Sequence, residues 1–277
     1  MEARNLPDRE SYRQLGTEGL RRNFLLDKLF SPGTIAAAYC DADRVIVGGA
    51  VPTTSAIPLV ASHSEMAAGF FAERREIGIV NVGAEGVIVA DGKRYTLQSK
   101  DMLYVGRGTR SIEFSNANPS HHAVFYFVSY PAHAEYPVAM ASYRDAEKTA
   151  LGSGDSANRR TINKYIHPGG VKSCQLVMGL TELAPGSVWN TMPPHTHVRR
   201  SEVYLYFGLD PDSIVVHLMG IPGETRSLIV RNQEAVVSPN WSIHCAAATK
   251  SYSFVWAMGG ENQEFSDMDP APVRDLR

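Results

Sequence analysis

His195 and His197 stand two residues apart in PPHTHVRRSEVYLYFG (193–208). Side chains alternate between the faces of a strand, so on a strand both imidazoles project from one side. Glu202 comes five residues after His197, the wrong parity for one continuous strand. The intervening 198–201 is short, charged and turn-like. The spacing therefore predicts that Glu202 begins the next, antiparallel strand, and that a hairpin brings its carboxylate to the face of the two histidines. His244 lies about forty residues later, in PNWSIH (239–244), at the start of another strand. Three imidazoles and one carboxylate make a set of N and O donors suited to Zn, Mn, Fe, Co or Ni.

The remaining candidates are weaker. His217, in VVHLMG, is expected in the core or lumen, and His63, His121, His122, His133 and His167 fall near loops. Trp241 is a candidate wall beside His244. Cys245 follows His244 directly and on a strand would face the other way, so it is not counted as a ligand. With Cys40 and Cys174 the thiols are odd in number and lack CxxC spacing, which argues against a disulfide framework.

These groups need elements to hold them. The opening stretch to about Phe30 is the one convincing helix, with Thr17 as its cap and Leu20 and Phe24 on one face. After it come short alternating runs, among them EIGIVNVG (76–83), EGVIVADGKRYTL (85–97) and HAVFYFVSY (122–130), with Asp91-Gly92 as a tight hairpin turn. A second block repeats the pattern in CQLVMGLTEL (174–183), EVYLYFGL (202–209), SIVVHLMG (213–220) and SYSFVWAMG (251–259). Between the blocks lies a softer stretch rich in Pro, Ala, Gly and Ser. The expected class is all-β, with two β-barrel or jelly-roll lobes and a short N-terminal helix. The division is a helical extension at 1–40, a barrel without metal at 41–135, a linker at 136–165 and the metal-binding barrel at 166–277.

The two blocks echo each other. ERREIGIVNVG (73–83) resembles VRRSEVYLYFG (198–208), and RGTRSIEFS (107–115) resembles SPNWSIHCA (238–246). Setting Glu76 against Glu202 puts Gly69 and Phe71 at the positions of His195 and His197, and the second match puts Glu113 at that of His244. On that alignment the first copy has kept the scaffold and lost the metal.

Formal net charge is −2, which gives no bulk electrostatic case for nucleic acid or an anionic membrane. No apolar run approaches the roughly 20 residues of a membrane span. The first residues lack the apolar core of a signal peptide, so a cytoplasmic location is expected.

The donor pattern resembles the cupin family. That family's first motif is matched by His195, His197, Glu202 and Gly208, and its second by Pro239 and His244, with Trp241 where glycine is usual. A likeness of wider extent joins NRRTINKY (158–165), CQLVMGLTELAPGSVWNTMPPHTHVRRSEVYLYF (174–207), SPNWSIHCAAATKSYSFVWAMGGENQEFSDMD (238–269) and the ending VRDLR (273–277). These segments resemble the 5-keto-4-deoxyuronate isomerase family, and GLRRNFLLDKLF (19–30) and FFAERREIGIVNVG (70–83) are similar to it as well. The resemblance implies a zinc-dependent bicupin, usually hexameric, with one zinc on His195, His197, Glu202 and His244. It implies conversion of 5-dehydro-4-deoxy-D-glucuronate to 3-deoxy-D-glycero-2,5-hexodiulosonate in pectin breakdown.

Such a reaction moves a proton between C2 and C1 through an enediol. Glu202 is a candidate base, and Glu182 and Glu261 are further candidates for proton transfer. The substrate carboxylate needs a cation, for which Arg159, Arg160 and Lys164 are first choices and Arg199 and Arg200 the next. The closing DMDPAPVRDLR shows no chemistry and is expected to pack across a subunit partner in a homo-oligomer. The same donors also suit Fe(II) oxygen chemistry, so a metal-dependent dioxygenase stands as an alternative, as does a non-catalytic sugar-acid binding module.

Overall fold

A computed structural model describes residues 1–118 and 120–277. The chain divides into two compact units. The first comprises Met1–Ala3, Lys28–Ala146 and Tyr165–Met178, and the second Arg4–Asp27, Glu147–Lys164 and Gly179–Arg277. Both are built from strands, as the short alternating runs predict.

In the first unit, Thr34–Cys40, Ile46–Val51, Phe125–Pro131, Arg75–Asn81, Met102–Val105 and Ala139–Ala141 pair in that order. A second sheet orders Ile57–Pro58, Ile112–Asn116, Gly86–Ala90 and Lys93–Leu97. Asp91 and Gly92 join the last hairpin with φ of 46° and 78°, the doubly positive geometry that a two-residue turn requires. The core is apolar, with Ile77, Ile79, Ile88, Phe114, Phe125 and Phe127 all buried together.

The strand Arg75–Asn81 corrects the inferred alignment of the two blocks. Ile77 and Ile79 face the core, so Glu76 faces the other way. There its buried carboxylate accepts the backbone N–H groups of Cys174 (2.6 Å), Gln175 (2.8 Å) and Leu176 (2.8 Å), and the Tyr104 hydroxyl at 2.8 Å. A slip of one residue exchanges the two faces of a strand. The ungapped echo of 73–83 with 198–208 places Ile77, not Glu76, opposite Glu202. Glu113 is likewise exposed, between the buried Ile112 and Phe114, so it is not the interior counterpart of His244.

A sheet whose strands belong mostly to the second unit orders Glu147–Leu151, Arg160–Ile166, Val177–Leu183, Ser253–Gly260, Arg200–Phe207, Glu234–Ser238 and Leu25–Leu26. The other orders Trp189–Asn190, Cys245–Ala248, Val215–Ile221 and Glu224–Val230. Residues 136–165, read as a linker, therefore contribute strands, and Thr34–Cys40, read as part of the N-terminal extension, is a strand of the first unit.

The helix spans Thr17–Phe24 and buries Leu20 and Phe24. Thr17 is its first residue rather than its cap; Gly16 holds the cap position and offers no side-chain bond. The helix stops at Phe24 because Leu25 and Leu26 pair with Val236 and Ala235 as a strand. Arg21 and Arg22 lie in its last turn, where cations suit the helix dipole. Among the described residues, no helix is long and apolar enough to cross a membrane.

Candidate metal centre

The strand Arg200–Phe207 is buried along its whole length between two neighbours. Alternation sends Glu202 and Tyr204 to the same side, and both line one cavity. The two histidines before it reach that cavity by a different route from the expected hairpin. His195–Thr196 pairs with Asp269–Pro270 near the C-terminus, not with the strand that carries Glu202. The C-terminal segment is thus part of the site. The Asp267 carbonyl lies 2.8 Å from His197 Nδ1 and accepts from Arg200 Nη2 at 3.0 Å. Arg199 donates Nε to the Asp267 carboxylate at 2.7 and 2.9 Å and also pairs with Asp269. Asp267 and Asp269 hold the Arg199 guanidinium above its usual pKa range, and Arg199, with Asn262 at 2.7 Å, holds the Asp267 carboxyl below its own.

His244 ends a turn that the other sheet pins in place. Ser242 N–H donates to the Pro239 carbonyl (2.9 Å), Gly220 N–H donates to Ser242 Oγ (2.9 Å), and Ile243 N–H donates to the Gly220 carbonyl (2.9 Å). Trp241 does not wall the cavity. Its ring packs 4.7 Å from Tyr12 and edge-on to Phe24 at 6.2 Å. The backbone there is not left-handed, so a glycine is not required at that position. Cys245 points into a separate apolar cluster with Ile243 and Ala271, and burial pushes its thiol up to about 12.

The four predicted donors come together. One ligand atom each from His195, His197, Glu202 and His244 lies within 4.8 Å of the others. His197 Nε2 and His244 Nε2 sit 2.9 and 2.8 Å from the Glu202 carboxylate, and His195 Nε2 sits 3.1 and 3.2 Å from those of His197 and His244. Ligands about 2.0–2.1 Å from a tetrahedral ion stand about 3.3–3.4 Å apart, close to these separations. The far nitrogens of two rings are occupied, His197 Nδ1 by the Asp267 carbonyl and His244 Nδ1 near Ser238 Oγ at 3.3 Å. That arrangement turns Nε2 toward the centre, as in metal-binding histidines. Burial pushes the His195 pKa down to about 3, with the His244 and His197 charges adding to it and Glu202 opposing. Burial alone would raise the Glu202 carboxyl, but His244 and His197 outweigh it and hold it below its usual range. A divalent cation takes imidazole in its neutral form and carboxylate in its ionised form. Among the described residues no other group of three such donors forms.

The cavity next to the cage measures about 260 Å³. Arg160 lines it with Ile162 from the same face of one strand, while Thr181, Thr191, Tyr204 and Met258 contribute further wall. Burial lowers the Arg160 pKa, with Tyr204 and Tyr252 opposing. Lys164 lies on the Arg160 face but is engaged by Glu147 at 2.8 Å. Arg159 is exposed and does not line the cavity. Glu182 follows the cavity-lining Thr181 and so points off the cavity, 3.4 Å from Asn163 Nδ2. Glu261 is exposed and does not line it either. His217 is fully buried, with Nδ1 2.7 Å from the Tyr206 hydroxyl, and burial pushes its pKa down to about 3. Tyr204 and the Asp267 carbonyl were missed in the sequence. A strand tyrosine reads as core, and no side-chain type marks a backbone carbonyl.

The model of the KduI/IolB family matches residues 33–272. The 4-deoxy-L-threo-5-hexosulose-uronate ketol-isomerase of Caldicellulosiruptor bescii is 52% identical over 277 residues, all of both chains. That of Opitutus terrae is 52% identical over 271 residues, 98% of each. Among solved structures, an IolB-like protein from Salmonella typhimurium LT2 aligns with a TM-score of 0.74 at 14% identity, over 90% of this chain and 97% of its own. The Lactobacillus farciminis oxalate decarboxylase aligns at 0.54 and 10% identity, over 79% and 77%. At such identities the two structures speak for the fold alone.

Proposed function

The chain belongs to the KduI/IolB family, and from that premise we propose that it is a ketol-isomerase of 4-deoxy-L-threo-5-hexosulose uronate, acting in the breakdown of pectin-derived uronates. The observation that carries this reading is one cavity lined by three of the cage donors, His195, His197 and Glu202, and by Arg160. The substrate is an aldehyde at one end and a carboxylate at the other, and the cavity offers a fitting group for each.

The reaction breaks the C2–H bond, forms a C1–H bond and moves a proton from O2 to O1. Arg160 binds the carboxylate. Glu202 Oε2 faces His197 and His244, and Oε1 is the atom that would take the C2 proton and return it at C1. Burial, then Glu202, holds the Tyr204 phenol well above its usual pKa. It therefore stays protonated, beside Thr191 Oγ1 at 3.1 Å, and can donate to a substrate oxygen. Phe254, Trp256 and Met258 line the apolar wall and keep the enediol from bulk water. The N₃O donor set suits one zinc per chain, and when bound that ion would polarise the carbonyl and the neighbouring hydroxyl.

The test is metal analysis of the purified protein, together with NMR of the keto-uronate before and after its addition. Loss of the C1 aldehyde resonance with appearance of a second ketone is the expected result. Metal without conversion would overturn the isomerase reading, and oxygen uptake would replace it with the dioxygenase. The same reading includes a homo-oligomer, a hexamer by resemblance, which light scattering on the metal-loaded protein tests.

A further inference from the structure

The first unit has a cavity of its own, about 450 Å³, walled by Tyr39, Ile46 and Phe71 and rimmed by residues 63–68. Arg75 lines it and is only 7% exposed. It lies on the same face of its strand as Ile77 and Ile79. Nε donates to Ser129 Oγ at 3.1 Å, and Nη2 donates to the carbonyls of Ser129 (2.8 Å) and Arg44. Among the described residues Nη1 has no hydrogen-bond acceptor. None of the three acceptors carries a charge, and no carboxylate pairs with this guanidinium among the described residues. Burial pulls its pKa down to about 10, with Tyr39 and Tyr130 opposing. A buried cation held only by neutral groups is costly, and an anion beside it lowers that cost.

We propose that this cavity binds a small organic monocarboxylate, sugar acids included, with one carboxylate oxygen on Arg75 Nη1 and the body of the molecule against Tyr39 and Phe71. The chemistry favours a monoanion over phosphate on two grounds. Only Nη1 of Arg75 is free, so this guanidinium offers no bidentate fork, and Arg74, which lines the same cavity, is paired with Glu73 at 3.4 Å. Glu65 lines the same cavity, kept ionised by the Met1 ammonium and Ser62, and would repel a dianion. None of these residues belongs to the metal cage or its cavity, so the proposal does not rest on the isomerase reading.

The experiment is isothermal titration of the metal-loaded protein with D-galacturonate, repeated in the presence of inorganic phosphate. The expected result is that Arg75→Gln weakens one galacturonate site per chain at least 10-fold while the metal retained per chain stays at the wild-type value, and that phosphate does not compete. If Arg75→Gln fails to fold by circular dichroism, Arg75→Lys decides. It retains a cation but loses the Nη1 contact, and a several-fold weakening is expected. Wild-type binding in the folded variant, absence of galacturonate binding in the wild-type protein, or displacement by phosphate would each overturn the proposal. A crystal soaked with galacturonate and showing it away from Arg75 would do the same.

Discussion

His244 Nε2 lies 2.8 Å from the Glu202 carboxylate, with both side chains buried. The two come from opposite sheets of the second unit, so the contact exists only when both sheets are assembled. Glu202 is the one anion in the cage. Glu202→Gln keeps the shape and removes that charge, and His244→Ala removes one donor. Each is expected to lower retained metal from about one ion per chain to under roughly a tenth of that, with the far-ultraviolet circular dichroism unchanged. Mass-spectrometric metal analysis after dialysis checks it. Full occupancy in either folded variant removes that residue from the donor set.

A second prediction concerns a residue outside the cage. The Asp267 carbonyl orients His197, and its carboxylate is fixed by Arg199 and Asn262. Asp267→Ala leaves the carbonyl in the chain but frees the segment that aims it. Partners that orient a ligand typically contribute 10- to 100-fold in metal affinity, and a loss in that range is expected. Competition with a chromophoric chelator measures it. Unchanged affinity would mean that the His195–Thr196 pairing with Asp269–Pro270 is enough to aim the ring.

The cage was legible in the sequence because HxH spacing, a glutamate and a later histidine survive as residue types. The all-β class was legible from short alternating runs. What the sequence did not carry was pairing at a distance. His195–Thr196 finds its partner at Asp269–Pro270, which has no strand-like pattern. The alignment of Glu76 with Glu202 failed by one residue, because it matched a single pair of letters against the ungapped register of the segment, which sets Ile77 opposite Glu202. Arg160 was picked out along with Arg159 and Lys164, and only strand alternation and the Glu147 pairing separate the three.

Acid sensitivity of the metal-free protein follows from two depressed histidines. His195 and His217 are pushed from 6.5 to about 3. Both are then neutral in the folded chain and take up protons on unfolding below pH 6.5. Their contribution is complete above the unfolded value and is lost as pH falls toward 3. Well below 6.5, each gives a slope of about 1.4 kcal/mol per pH unit. The expected signature is a decline in urea-unfolding free energy between pH 5.5 and 4.5 that His217→Gln makes shallower by about that amount. His217 is not a cage donor, so the variant separates this effect from metal loss. An unchanged slope would show that His217 is protonated in the folded protein.

Arg160 should govern substrate affinity more than turnover. It is the cation that lines the cavity beside the cage, while Arg159 is exposed and outside that lining and Lys164 is engaged by Glu147. A charge-assisted bond to the substrate carboxylate contributes about 2–3 kcal/mol, so Arg160→Ala is expected to reduce kcat/KM about 30- to 150-fold, mostly through KM. The carboxylate is remote from C1 and C2, which is why binding rather than the proton transfer should suffer. Arg160→Lys should recover only part of the loss, since a point charge does not reproduce the planar fork. Arg159→Ala and Lys164→Ala should each cost under about 5-fold, in keeping with exposed or already paired cations. Steady-state kinetics on the four variants settles the order. An Arg159→Ala defect as large as that of Arg160→Ala would place the carboxylate on the other face of the strand and overturn the orientation of substrate in the cavity.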